Sequence, residues 1–121
     1  MRHEPKMNFS ELTIPQLVQN AAQKFGTRSA IEDGDLRFTY AQLEQQRISA
    51  AKAFIAAGIQ HGDRIAVWAP NIAEWIIASV GLQSVGAILV PINTRMKGAE
   101  AGYVLRASGA KLLLTVSGFL D

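Results

Sequence analysis

Three short apolar runs constrain this chain more than any other feature: Ile65-Ala66-Val67-Trp68, Ala87 to Ile92, and Lys111 to Val116 with its Leu112-Leu113-Leu114 centre. Each is too short for a helix, and none shows the apolar-polar alternation of a strand with one wet face. They read as strands buried on both sides, which is the habit of parallel sheets. The stretches between them carry helical signals. Pro70 ends the first strand, and Asn71 with Glu74 reads as a capping box opening a helix through Ile72, Trp75, Ile76, Ser79, Val80 and Gln83 to Gly86. Gly98 to Ala107 reads as a further helix before the last strand.

The first half of the chain is built differently. Ile14, Leu17, Val18, Ala21, Ala22 and Phe25 recur at helical spacing, with Thr13 as cap and Pro15 in the first turn. Ser29 to Glu32 and Leu36 to Phe38 flank Asp33-Gly34-Asp35, the chemistry of a tight hairpin turn. Thr39 and Gln42 form a capping box for a helix that carries Leu43, Ile48, Ala51, Phe54 and Ile55 and stops at Gly58. The expected order is α-β-β-α-β-α-β-α-β, an α/β fold with a mostly parallel sheet flanked by helices. Only Ser117 to Asp121 follow the last strand, so the sheet is expected to break off in mid-fold. Residues 1–10 are expected to be a flexible tail.

Composition removes several function classes. At 121 residues the chain fits one domain, and at 49% hydrophobic and 18% charged it is too apolar for disorder. Its net charge of +2 comes from scattered Lys and Arg, which leaves no footprint for nucleic acid. The absence of cysteine excludes disulfides, thiolate metal sites and a cysteine nucleophile, and is compatible with a cytoplasmic setting. The start, MRHEPKMNFS, has no apolar core for a signal or anchor. Trp75 to Ile92 is interrupted by Gly81, Gln83, Ser84, Gly86 and Pro91 and is shorter than the roughly 20 residues a transmembrane helix needs.

No catalytic, cofactor-binding or metal residue emerges from the motifs. Ligands of open parallel sheets lie at the carboxyl ends of strands, yet Ala69-Pro70-Asn71 holds no phosphate-cradling glycines. Gly81 and Gly86 have P-loop spacing, but Ala87-Ile88 replace the Lys and Ser/Thr that would meet phosphate and magnesium. His3 and His61 have no partners in sequence for ligation or proton transfer. Glu32, Asp33 and Asp35 are accounted for by the hairpin turn and solvation. Ser79, Ser84, Ser108 and Ser117 lack a nucleophile elbow. Trp68 and Trp75 flank a strand end and read either as the wall of an acyl or aryl pocket or, more simply, as core volume. Arg95 reads as a solvated loop arginine, with a ligand carboxylate or phosphate as its other possible partner.

Taken together, GDRIAVWAPNIAEWIIA (62–78), GAILVPINTRMKGAEAGYVLRASGAKLLLT (86–115) and IEDGDLRFTYAQLEQQ (31–46) resemble the N-terminal part of the AMP-forming acyl-CoA synthetases. The resemblance covers roughly residues 11 to 120, and Asn93-Thr94-Arg95 with Ser108 to Lys111 resembles the fatty-acid and acyl side-chain ligases. It implies that 11–121 is a partial N-terminal domain of an enzyme that uses ATP, magnesium and coenzyme A to turn a carboxylic acid into its acyl-CoA through an acyl-adenylate. It also implies that the phosphate loop, the Thr-Glu magnesium motif, the ribose-binding Asp and the mobile domain lie downstream, so this chain is expected to be inactive alone. A downstream chain completing the fold is then a possible partner. A second reading is a non-enzymatic, protein-binding module that keeps the fold. A stand-alone adenine-nucleotide binder lacks the phosphate loop it would need.

Overall fold

A computed structural model describes residues 12–118. Nine elements follow the expected order: α1 (Ile14–Phe25), β1 (Ser29–Asp33), β2 (Leu36–Thr39), α2 (Tyr40–Ala56), β3 (Arg64–Trp68), α3 (Ala73–Ser84), β4 (Ile88–Pro91), α4 (Gly98–Ser108) and β5 (Leu112–Thr115). The proposed tail, 1–10, lies outside the described residues.

The three unbroken apolar runs pair as a parallel sheet in the order β4-β3-β5. β3 is central, with Ile65 opposite Leu89 on one side and Leu112 on the other. Ile65 to Ala69 alternate between two cores, which explains that unbroken apolar run; β4 and β5, at the sheet edges, contain no buried residue, and Ile88 and Leu112 are exposed, so these two are not the strands buried on both sides that their sequences suggest. Ile65, Val67 and Ala69 face Phe54 of α2 and Trp75 and Leu82 of α3. Ala66 and Trp68 face Ala101, Val104 and Leu105 of α4. Ile65 and Leu82 are the largest fully enclosed side chains, each worth about 1.5–3 kcal/mol of burial.

β1 and β2 form a separate antiparallel ribbon. Gly34 opens its turn with φ +58°, a backbone that glycine adopts at no steric cost. The ribbon lies on the far side of the α2/α3 layer, where Ile31 meets Leu43, Ala73 and Val80, with Val18 of α1 and Phe38 packed around them. Helix α3 is therefore covered on two sides, by the ribbon and by the sheet, and this accounts for its nearly all-apolar sequence. Where α3 crosses α2, a Cβ on Gly81 would stand 2.6 Å from the Ala50 Cβ, so only glycine permits this approach.

Several helix starts and ends follow local chemistry. Thr13 with Gln16 and Thr39 with Gln42 form reciprocal capping boxes, and Pro15 lies in the first turn of α1. Helices α2, α3 and α4 end alike: the amides of Gly58 and Ile59, Gly86 and Ala87, and Gly109 and Ala110 reach back to the last-turn carbonyls in the two-bond pattern of a left-handed terminator. Ala87 is thus consumed by the end of α3, and β4 begins one residue later than the apolar run suggests. The start of α3 does not follow local chemistry. Ile72, not Asn71, is the capping residue, and no side chain of its own segment bonds there. The Asp33 carboxylate, 40 residues away, accepts the Ala73 N–H at 3.0 Å instead. The expected Asn71–Glu74 box is replaced by this tertiary cap, and Asp33 is more than a solvated turn acid.

Candidate functional site at the carboxyl ends of the parallel strands

The chain leaves β3 and β4 toward opposite faces of the sheet. After β3 it enters α3 on the face of Ile65 and Val67; after β4 it enters α4 on the face of Ala66 and Trp68. Two neighbouring strands whose connections diverge leave a crevice between their carboxyl ends, the place where open α/β sheets bind ligands. The structure has such a crevice, about 380 Å³, lined by Ala69, Asn71 and Trp75 from one connection and Pro91, Ile92, Asn93 and Thr94 from the other.

Trp75 also walls two further grooves. One, of about 290 Å³, runs toward the ribbon past Ile31, Glu32, Asp33 and Ile76. The other, of about 210 Å³, is a mostly apolar slot among Phe54, Val67, Ala78, Leu114 and Val116. Trp75 therefore stands where three depressions meet. The two tryptophans flank the same strand end, but they belong to cores on opposite faces, so the paired aromatic wall envisaged from sequence does not form.

The other residues singled out in the sequence are dispersed. His61 lies in the exposed turn before β3, its ring against Gly86. Ser79 is buried and donates to the Trp75 carbonyl at 2.6 Å. Ser84 donates to the Val80 carbonyl at 2.6 Å and accepts from Arg47 at 3.0 Å. Ser108 donates to the Leu105 carbonyl at 3.3 Å, while Ser117 is exposed. Glu32 is exposed and accepts from the Ser29 hydroxyl at 3.1 Å, and Asp35 is exposed at the ribbon turn. Arg95 is exposed beside the crevice, its backbone N–H held by the Asn93 Oδ1 at 2.9 Å.

The residues here do not fit the phosphate and magnesium chemistry that the resemblance implies. Among the described residues no group of three or more His, Cys, Asp and Glu is placed to hold a metal ion. The α3 N-terminus, the nearest ready-made anion site, already holds the Asp33 carboxylate. The arrangement can hold a ligand or a neighbouring segment, and it offers no activated nucleophile.

The opposite, amino-terminal end of the sheet is tied down by polar contacts. Lys111 Nζ donates to the Gly58 carbonyl at 2.8 Å and meets the Asp63 carboxylate at 3.0 Å, and Asp63 accepts the Gln60 N–H at 2.7 Å. Arg64 donates to the Ser108 carbonyl at the end of α4, at 2.8 Å. The Asp63 carboxyl is held below its usual range, first by the Gln60 N–H and then by Lys111. Between α2 and α3, hydrogen bonding to Glu44 keeps the Arg47 guanidinium above its usual value despite partial burial.

Fold and crevice together define an α/β protein with a parallel sheet and a crevice walled by two strand-to-helix connections. Residues 18–120 match the family described as AMP-binding enzyme. A 3-[(3aS,4S,7aS)-7a-methyl-1,5-dioxo-octahydro-1H-inden-4-yl]propanoyl:CoA ligase of Rhodococcus jostii is 38% identical over 108 residues, 89% of this chain and 21% of that protein. Among solved structures, a fatty acyl CoA synthetase of Mycobacterium tuberculosis superposes with a TM-score of 0.81 at 33% identity, covering 84% of this chain and 21% of that one. The N-terminal subdomain of Klebsiella oxytoca NpsA in complex with anthranilyl-AMSN gives 0.81 at 27% identity, covering 84% and 27%. The chain belongs to the AMP-binding enzyme family, and it spans about a fifth of the length of the curated relatives it matches. Among the described residues no helix is long and apolar enough to cross a membrane.

Proposed function

We infer that residues 11–121 serve as part of the N-terminal domain of an ATP-dependent acyl-CoA ligase. In that reaction a carboxylate attacks the α-phosphorus of ATP, pyrophosphate leaves, and the thiol of coenzyme A then displaces AMP from the acyl-adenylate. Such a reaction needs donors and cations gathered around a phosphate cluster. The observation that carries the reading is the match over residues 18–120 to the family, joined to a strand-end crevice with no such cluster. The role of these residues is then to supply the β4-β3-β5 sheet and its binding edge, while ATP, magnesium and coenzyme A are handled by other parts of the ligase.

The test is a chimera in which residues 12–118 replace the matching segment of the Rhodococcus ligase. Acyl-CoA formation from that enzyme's own substrate is expected to survive, at a reduced rate. A soluble chimera with native-like circular dichroism and no acyl-CoA formation would contradict the reading.

A further inference from the structure

We propose that the crevice between the carboxyl ends of β3 and β4 is a binding site for a neutral carboxamide carried on a flat apolar body. The proposal rests on the lining residues and stands independently of the ligase reading. Ala69 and Ile92, both buried, form the floor, and the Trp75 indole and Pro91 form apolar walls. Asn71, Asn93 and Thr94 supply the polar groups. No charged side chain is among the lining residues, and the neighbouring Arg95 side chain is exposed outside them, so an ionic ligand would give up hydration there with no counter-charge in the lining to replace it. The Asn93 Oδ1 accepts the Arg95 N–H at 2.9 Å, which leaves the Asn93 amide NH₂ as the outward donor. A ligand carbonyl meets that donor. Thr94 and Asn71 each offer a donor and an acceptor, and an amide NH₂ on the ligand suits their acceptors. The indole face suits a planar ring of the same ligand.

Benzamide, benzoate and benzamidine share one flat shape and differ in charge, so they separate this recognition from mere apolar contact. Each would be titrated into the 121-residue chain while the indole N–H of Trp75 and the side-chain amides of Asn71 and Asn93 are followed by NMR. Benzamide is expected to move these resonances and to bind about tenfold or more tightly than either ion. Asn93→Asp keeps the acceptor for the Arg95 N–H but replaces the outward donor with an anionic oxygen; at an exposed position it leaves the fold intact, as a dispersed spectrum would verify. That variant is expected to bind benzamidine in preference to benzamide. Equal affinity for the three probes, shifts confined to other regions, or an unchanged preference in Asn93→Asp would each overturn the proposal.

Discussion

The two ends of the parallel sheet are made from the same strands and are finished in opposite ways. At the amino end, Asp63, Arg64 and Lys111 bond across to the turns after α2 and α4, and glycine terminators at Gly58, Gly86 and Gly109 fix how the chain enters β3, β4 and β5. At the carboxyl end the Thr115 hydroxyl donates to the Trp68 carbonyl at 2.7 Å, Asp33 caps α3, and the Asn93 Oδ1 holds the Arg95 N–H, and none of these ties is an ion pair like that of Lys111 with Asp63. Three depressions around Trp75 take up the remaining space. One end holds strand positions and the other leaves open surface. A binding edge stays precise when the strands beneath it are fixed elsewhere.

Substitutions at the two ends should sharpen this contrast. Ile65→Ala, at a fully buried position of β3, is expected to cost about 2–5 kcal/mol in urea unfolding, the largest effect of the set. Gly86→Ala is next, at about 1–2 kcal/mol for a left-handed alanine, with a further loss because the added Cβ would press into the His61 ring. Asp33→Ala should cost about 1 kcal/mol, typical of a lost helix cap, and should loosen the ribbon from α3, visible as faster hydrogen exchange at Ala73. At the amino end, Asp63 titrates lower in the folded chain than in the unfolded one. Its contribution is therefore complete above the unfolded value, about 4, and is lost as pH falls through the folded value. Asp63→Asn should flatten the acid side of the stability profile, and an unchanged profile would remove this tie from the account. Thr94→Val in the crevice should change stability least, within about 0.5 kcal/mol, because Thr94 lines the crevice and is not part of a buried core.

Much of the fold was legible because its signals are local. Unbroken apolar runs marked β3, β4 and β5, but the reason, packing on both faces, holds for central β3 alone, since the edge strands β4 and β5 contain no buried residue. Thr13 with Gln16, Thr39 with Gln42, and the terminating glycines lie within a few residues of the amides and carbonyls they serve. What was not legible is long-range. Nothing near Ile72 announces that its helix is capped by Asp33, and a nearby Asn71 and Glu74 offered a plausible local substitute. The crevice was hidden for the same reason: it arises from α3 and α4 departing to opposite faces, a property of topology. Trp68 and Trp75 looked like partners because both flank one strand end, but alternation along β3 puts Trp68 on the α4 face, and the turn at Pro70 returns Trp75 to the other.

Polar ties hold the amino end of the sheet within this chain, and on the proposed ligase reading the open carboxyl end borders further parts of the enzyme. Native-state hydrogen exchange measures this contrast most directly, comparing residues 12–118 in the 121-residue chain with the same residues inside the Rhodococcus chimera. The amides of Gly62, Ile88 and Lys111, bonded to the Gly86, Asp63 and Arg64 carbonyls, should be equally protected in both. Those of the non-proline residues in 69–76, 92–96 and 115–118 should gain protection only in the chimera. Equal protection of the carboxyl end in both proteins, or a gain confined to the amino end, would contradict the account.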